Sequence, residues 1–151
     1  AGTGGGGKIL QVEFSSTNSN QNATTSWTGT GLSDSITMTS ASNKVLIMCS
    51  ANGYMNGGNY YNFDIVRHSS ALAAGDAEAG TRLFGGNRGM GSIYGNTGDR
   101  FNTITGLMLD TPGAGTFHYS LVHKEYSGSG IFNHSNPTSS IVLLEINAWV
   151  H

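Results

Sequence analysis

The first residues of the chain have the spacing of a phosphate-binding loop. Gly2, four intervening residues, Gly7 and Lys8 reproduce the G-x-x-x-x-G-K pattern of nucleotide-binding proteins. In those proteins the loop leads into a helix, and a Ser or Thr after the Lys holds magnesium. Here Ile9 follows the Lys, and the segment KILQVEF alternates as a strand does. We therefore interpret residues 1–7 as a flexible Gly-rich arm, and we expect no nucleotide and no other cofactor.

Histidines could act as metal ligands. In the segment TFHYSLVHKEY, His118 and His123 are five residues apart and point to opposite faces of a strand, whereas His123 and Glu125 share one face. The second pair could hold a surface cation, but two polar side chains that face solvent are the more common arrangement. The sequence predicts no metal site.

Residues for hydrolytic chemistry are scattered along the chain. There is no G-x-S-x-G nucleophile motif, and the nine Asp and Glu residues are spread thinly. Cys49 lies in the apolar run VLIMCSA, where a thiol most often behaves as a small buried hydrophobe. We expect a protein that is not an enzyme, since catalysis would need a cluster of perturbed acidic or basic groups in one cleft.

Aromatic and amide side chains form the most suggestive set. Carbohydrate sites place a flat ring under the apolar face of a sugar and planar polar groups on its hydroxyls. The segment NGYMNGGNYY carries both kinds of side chain, and we expect it in a loop, where binding residues concentrate. Core packing is the alternative for most aromatic residues of the chain. The predicted ligand-binding or receptor-binding residues are Tyr54, Asn56, Asn59, Tyr60 and Arg67.

Composition argues against several classes of partner. The chain has 151 residues, about one domain, with 11% charged residues and a net charge of -2. Nucleic acids and anionic membranes both attract clustered Lys and Arg, whereas the seven basic residues here are scattered. No apolar run approaches the ~20 residues of a membrane helix, and no apolar signal segment is recognisable. We expect no nucleic-acid partner, no membrane insertion and folding without secretion.

Short runs of β-branched and aromatic residues recur along the whole chain, separated by Gly, Asn and Ser clusters. No stretch keeps a helical period over three turns, so the predicted class is all-β: an antiparallel β-sandwich of about 8–10 strands, in one domain over residues 8–151. The predicted strands lie near residues 8–14, 22–28, 34–39, 43–51, 60–67, 81–84, 90–94, 100–109, 116–126, 130–133 and 139–149.

Three of these strands allow finer predictions. The run NKVLIMCSA is apolar at both alternating sets of positions, so we expect it to be covered on both faces, in the middle of the sandwich or at a subunit interface. Two Asn-Gly pairs follow it and predict a hairpin into YYNFDIVR, with Tyr61, Phe63 and Ile65 facing one side. The apolar C-terminal run, 139–149, is predicted to pair with 8–14.

Several segments carry a family likeness in a fixed order. They are GGGGKILQVEFSS, TGTGLSDSITMTSASNKVLIMCSANGY, FDIVRHSSALAAGD with the later Arg82, LDTPGAGTFHYSLVHK and SSIVLLEI. Together they resemble modules of tail-fibre and other virion-surface proteins of marine bacteriophages. The resemblance spans nearly all of residues 5 to 146. Each piece is short, so the order and the spacing carry the specificity.

The resemblance implies a jelly-roll-like β-sandwich, similar in outline to the trimeric tumour-necrosis-factor and complement-type domains. It further implies a homotrimer on a virion surface, in contact with other virion proteins. The chain departs from the family at His68, Ser69 and Ser70, which stand where an Asp-rich turn is expected, and in the tail NAWVH. A receptor or neighbour contact could be tuned at both places, so no receptor identity is carried over.

Two functions therefore stay open. The first is a non-enzymatic structural protein of a bacteriophage virion surface, either a tail-fibre-type or a head-decoration component, made in the host cytoplasm and assembled as a homotrimer. The alternative is a lectin-like module that uses the aromatic and amide residues named above to bind a host-surface glycan or receptor.

Overall fold

A computed structural model describes residues 7–147, which fold into antiparallel strands. No helix in this part of the chain is long and apolar enough to cross a membrane. Residues 1–6 of the predicted arm and residues 148–151 of the C-terminal tail lie outside the described residues. The strands are β1 (Ile9–Thr17), β2 (Gln21–Asn22), β3 (Thr28–Met38), β4 (Lys44–Asn56), β5 (Tyr60–His68), β6 (Thr81–Arg82), β7 (Gly91–Tyr94), β8 (Asp99–Asp110), β9 (Gly115–Glu125), β10 (Ser129–Phe132) and β11 (Ser139–Ile146).

The strands form two sheets, which pack face to face as a β-sandwich. In the first sheet β1 pairs with β11 and β11 with β4. β8 pairs with one edge of β4 along residues 45–56. β11 and β10 both pair with the other edge of β4, and β10 also pairs with β2. The second sheet has the order β3-β9-β5, with β6 and β7 on the far side of β5. The predicted fold class is confirmed.

The predicted pairing of the two terminal strands is also confirmed. In the antiparallel ladder of β1 and β11, Val12 lies opposite Leu144 and Phe14 lies opposite Val142. The prediction rests on the common placement of an apolar C-terminal strand beside the N-terminal strand in antiparallel sandwiches. The register is strongly specified, because a slip by one residue would turn every side chain to the opposite face.

The core lies between the two sheets. Alternate residues of β4 and β5 face each other across it, and Ile47, Tyr61, Phe63 and Ile65 are fully buried. Tyr61, Phe63 and Ile65 face one side, as predicted. Each such side chain contributes roughly 1.5–3 kcal/mol when it is fully buried, so burial is the main source of stability.

The predicted hairpin between β4 and β5 is wrong. The first Asn-Gly pair lies inside β4, and the chain turns only at Gly57 and Gly58, whose φ angles are 60° and 68°. β4 then belongs to the first sheet and β5 to the second, so this connection crosses the sandwich. Gly53 is required inside β4 for another reason: a Cβ there would lie 2.6 Å from Ile93 Cδ1 across the core. The pair Asn52-Gly53 is thus a packing feature and not a turn.

The predicted strand at 22–28 is also corrected. Only Gln21 and Asn22 pair as β2, and β3 begins at Thr28. Between them, Thr24 Oγ1 donates to the carbonyl oxygen of Ser26 and accepts from its backbone N–H. Such local bonds offer the backbone an alternative to a strand ladder.

The outer face of the second sheet is covered by the segment between β5 and β7. Leu72 of this segment is buried against Val66 and Val122, and Trp27 packs on the same cluster. As a result β9 has buried residues on both faces from Tyr119 onward. Within residues 7–147, no segment covers the outer face of the first sheet, which carries exposed apolar side chains.

Candidate functional site

The outer face of the first sheet carries two adjoining rows of apolar side chains. One row runs across four strands as Val12, Leu144, Leu46 and Leu109, and the next as Phe14, Val142, Met48 and Leu107. We call these residues the apolar array. Phe14 exposes 62% of its surface and Leu107 exposes 64%. The array is contiguous because neighbouring members are direct cross-strand partners.

Strand β1 shows most clearly that this face is built to be apolar. Its outward residues Val12 and Phe14 are hydrophobic, whereas its inward residues Gln11, Glu13 and Ser15 are polar. Two of the inward side chains bond to other segments: Gln11 Nε2 donates to the Thr37 carbonyl oxygen across 2.6 Å, and Ser15 Oγ donates to Asp34 Oδ2 across 2.9 Å. A strand of a monomeric sandwich ordinarily has the opposite arrangement, with apolar residues in the core and polar residues in solvent.

The prediction that both faces of the 43–51 strand are covered is wrong for the single chain. Val45, Ile47 and Cys49 are buried, but Leu46 is only half-buried and Met48 is 37% exposed. β4 lies centrally in its sheet, and one of its faces belongs to the array. The subunit-interface alternative therefore stays a prediction.

Polar residues border the array on the side of the β4–β5 turn. The next row consists of Ser16, Ser140, Ser50 and Thr105. One step further, Thr103 Oγ1 donates to Asn52 Oδ1 across 2.7 Å. The outer face thus changes from apolar to hydroxyl-bearing and amide-bearing side chains along the strands.

Beyond this border the same face opens into a cleft of about 470 Å³, which we call the Phe101 cleft. Its walls come from the ends of β4 and β8 and from the loop after β10. Three rings lie together: His134 stacks on Tyr54 with 4.3 Å between centroids, and Tyr54 contacts Phe101 at 4.8 Å. Phe101 is 58% exposed and provides an open aromatic surface. The lining residues are Asn52, Gly53, Phe101, Asn102, Thr103, His134, Ser135, Asn136 and Pro137.

The loop that carries His134 is held rigidly from below. Asn133 is fully buried, and its Nδ2 donates to the Thr17 carbonyl oxygen across 2.9 Å. Ser139 Oγ donates to Asn133 Oδ1 and also accepts the backbone N–H of Asn52. Asn133, Ser135 and Asn136 all have positive φ, between 52° and 67°. Three left-handed residues that are not glycine cost free energy, so such a loop persists only where its surroundings fix it.

Comparison with known proteins assigns no family. The chain matches no protein-family model, and no curated protein matches it. It is therefore the geometry of these surfaces that bears on function here.

The predicted binding residues fall into three separate places. Tyr54 is mostly buried and contacts the rings of Phe101 and His134, but neither Tyr54 nor Asn56 lines the Phe101 cleft. Tyr54 Oη and Asn56 Nδ2 both donate to Asp99 Oδ1, across 2.8 and 2.6 Å. Asn59 and Tyr60 line a second cleft of about 310 Å³. The prediction that these residues lie in a loop is correct only for Asn59, because the other three are strand residues.

Arg67 belongs to neither cleft. Its Nη1 lies 2.7 Å from a carboxylate oxygen of Asp110, and Tyr119 Oη donates to the same carboxylate across 2.9 Å. These bonds tie β5, β8 and β9 together at the far end of β5 from Tyr60. We therefore interpret Arg67 as a structural residue.

The strongest pKa shifts belong to enclosed groups. Burial lowers the pKa of His123 to about 3, and it raises the pKa of the Cys49 thiol to about 12. His123 is fully buried, so the expectation that it pairs with Glu125 in solvent is wrong. Tyr61 Oη lies 2.7 Å from His123 Nδ1, whereas Glu125 Oε2 accepts the backbone N–H of Gly130. The burial of Cys49 was predicted correctly, and a thiol with so high a pKa is a poor nucleophile.

Sequence reasoning missed the exposed ring of Phe101, the stacked His134 and the cation of the second cleft, Arg88. Phe101 occupies one of the alternate positions of β8 that face outward, so its exposure can be predicted from sequence once that strand is assigned. The segment NHSNP around His134 is rich in turn formers, and this signal could have marked a binding loop.

Proposed function

We propose that the protein is a non-enzymatic structural component of a bacteriophage virion surface, of the tail-fibre or head-decoration type, and that it forms a homotrimer through the apolar array. The array is the observation that carries the proposal. The resemblance to virion-surface modules of marine bacteriophages supplies the phage setting and the threefold symmetry.

The physical argument for a partner on this face is the free-energy cost of exposing its apolar side chains to water. Monomeric soluble proteins rarely expose contiguous apolar patches larger than a few hundred Å². Full burial of one Val, Leu, Met or Phe side chain contributes roughly 1.5–3 kcal/mol. Half of that for each member of the array amounts to several kcal/mol, enough to offset much of the roughly 4–15 kcal/mol that association costs. Lys44 at one end and the serine row at the other provide the polar rim of such an interface.

Sedimentation of the purified protein tests the assembly. We expect a trimer at micromolar concentration, and we expect Leu107→Asp to give a folded monomer, since a carboxylate within the interface would be buried without a partner. Thr116→Asp, at an exposed position of the other sheet, is the matched control and should stay trimeric. A wild-type monomer or dimer, or a trimeric Leu107→Asp variant, overturns the proposal. Labelled-antibody imaging of intact particles then separates a head location from a fibre location.

A second candidate function is favoured by the Phe101 cleft: recognition of a glycan on the host surface. An exposed ring beside several amide and hydroxyl groups matches the chemistry of a sugar, which presents an apolar face and a ring of hydroxyls. The pinned loop around His134 supports this reading, because a preorganised site loses little conformational entropy on binding.

A glycan-binding screen with two matched aromatic variants tests this second function. Phe101→Ala should abolish binding, because it removes the open stacking surface without touching the core. Tyr94→Ala removes an exposed ring outside the Phe101 cleft and should leave that binding intact. Equal binding by the wild type and by Phe101→Ala would dismiss the cleft as the site.

A further inference from the structure

The second cleft combines aromatic rings, amides and a cation at one place. We call it the Arg88 pocket; its lining residues are Asn59, Tyr60, Asn87, Arg88 and Tyr126. It opens beside β5 of the second sheet, whereas the Phe101 cleft lies on the outer face of the first sheet. The two sites therefore differ in location as well as in charge.

Within the described part of the chain, the guanidinium of Arg88 pairs with no acidic residue. Its Cζ lies 3.7 Å from the centroid of the Tyr60 ring. Among residues 7–147, the ion pairs join Arg67 to Asp110, and Arg82 to Asp64 and Glu78; none involves Arg88. A guanidinium stacked on a ring can still use the N–H donors in its own plane, which suit the two oxygens of a carboxylate.

The surroundings of Arg88 suit a sugar ring that bears the carboxylate. Tyr126 is 41% exposed, and the Lys124 ammonium lies 5.0 Å from the centroid of its ring, which places a second cation beside the pocket. The side chains of Asn59 and Asn87 are exposed and form no hydrogen bond within the described residues, so both amides are available to hydroxyl groups. An anion without a sugar ring would not stack on Tyr126 and would not supply hydroxyl groups to the two amides.

The loop that presents Arg88 is anchored at both ends. The Asp64 carboxylate is buried and accepts the backbone N–H groups of Phe84 and Gly85, across 3.2 and 3.0 Å. On the other side of Arg88, the backbone N–H of Met90 donates to the Phe63 carbonyl oxygen across 2.8 Å. These bonds hold the cation over Tyr60 before any ligand arrives, which lowers the entropic cost of binding.

We propose that the Arg88 pocket binds an acidic saccharide, a pyranose whose carboxylate pairs with Arg88 and whose ring lies against Tyr126. This site requires neither the trimer nor the Phe101 cleft. It adds a charge-selective sugar site to a surface that is otherwise nearly neutral.

Titration with methyl glucuronide and with methyl glucoside, followed by chemical shifts in NMR, tests the proposal. A hydrogen bond to a charged group favours the glucuronide by about tenfold or more at low salt, and added NaCl should reduce this preference. Arg88→Gln should remove the preference, whereas Arg100→Gln, at an exposed Arg outside the pocket, should keep it. The monomeric Leu107→Asp variant should bind like the wild type, which separates this proposal from that of the trimer.

Two results overturn the proposal. One is equal binding of the two sugars, or no binding of the glucuronide at millimolar concentration. The other is a preference for the glucuronide that survives in Arg88→Gln. Inorganic sulfate in a parallel titration identifies the remaining alternative: if it competes as well as the glucuronide, the pocket is a simple anion site and the sugar assignment is wrong.

Discussion

Buried His123 should make the protein sensitive to mild acid. The imidazole is fully enclosed among Tyr61, Phe63 and Phe132, and its Nε2 has no hydrogen-bond partner within the described residues. Protonation would place a charge in this apolar space, so burial lowers the pKa from 6.5 to about 3. The unfolded chain does not share this restriction and takes up the proton at ordinary pH.

The sign and the size of the effect follow from linkage. Between pH 6.5 and about 3 the unfolded state binds a proton at His123 that the folded state does not bind, so the free energy of unfolding falls as the pH falls. One pKa unit corresponds to 1.36 kcal/mol, so the whole window is worth about 5 kcal/mol. Between pH 7.5 and pH 5 the expected loss is about 2 kcal/mol. This is a large part of the 5–15 kcal/mol that typically holds a domain together.

Guanidinium denaturation at one protein concentration, at pH 7.5 and pH 5, measures this loss. His123→Asn keeps a hydrogen-bonding group near Tyr61 Oη but cannot titrate, so its stability should vary much less between these two pH values. It will be less stable at pH 7.5, since a smaller side chain leaves a cavity. His118→Asn, at a partly exposed position of the same strand, should retain the pH dependence of the wild type. A wild-type stability that is flat between pH 7.5 and pH 5, or an unchanged slope in His123→Asn, would refute the reasoning.

Three further substitutions test the packing, each by denaturant unfolding. Glu145→Gln should lower the free energy of unfolding by about 1–3 kcal/mol. The buried carboxylate accepts bonds from Gln11, Thr39 and Asn43, and the amide N–H₂ of Gln would face one of these donors. An unchanged unfolding midpoint would contradict this. Gly53→Ala should cost about 1–3 kcal/mol through its clash with Ile93, and Ile93→Val should relieve part of that cost in the double variant; no relief would mean that the clash lies elsewhere. Asn133→Ala should cost about 2 kcal/mol, and Asn133→Gly less, because glycine tolerates the positive φ; equal losses would assign the whole effect to the side-chain bonds.

Glu145 also contributes to the pH dependence, in a different window. Burial opposes its charged form, but the hydrogen bonds from Asn43, Gln11 and Thr39 outweigh it and lower the pKa of the carboxyl below 4.5. Its stabilisation is present above pH 4.5 and is lost as the pH falls through the lowered pKa. Glu145 therefore contributes little to the change in stability between pH 7.5 and pH 5.

The strands could be predicted from sequence because their signal is local. Alternation identified β1, and a long apolar run identified β11. Their pairing could be predicted because a C-terminal strand commonly lies beside the N-terminal one in antiparallel sandwiches. The hairpin after β4 could not be predicted in the same way. An Asn-Gly pair is a frequent turn, but at Asn52-Gly53 the glycine serves close packing against Ile93, which comes from a strand far away in sequence.

The candidate sites were harder to predict because they join distant segments. Tyr54 was found as a candidate, but its stacking partner His134 is eighty residues away. Tyr60 was found without Arg88 for the same reason. For His123 a local signal did exist. Tyr119 and Leu121 share one face of β9 with it, and that face is the apolar, inward one.

The outer faces of the two sheets are covered to different extents, and this difference is the best guide to function. The chain covers the second sheet with its own segment, in which Leu72 is 6% exposed over Val66 and Val122. On the first sheet the described chain leaves Phe14 and Leu107 open, although the half-buried inner side of β1 carries polar residues. A sequence selected only for a stable monomer would place Val12 and Phe14 inward and Gln11 outward. Since β1 does the reverse, its pattern supports the proposal that the array contacts a second surface, with the serine row as the border between that contact and the Phe101 cleft.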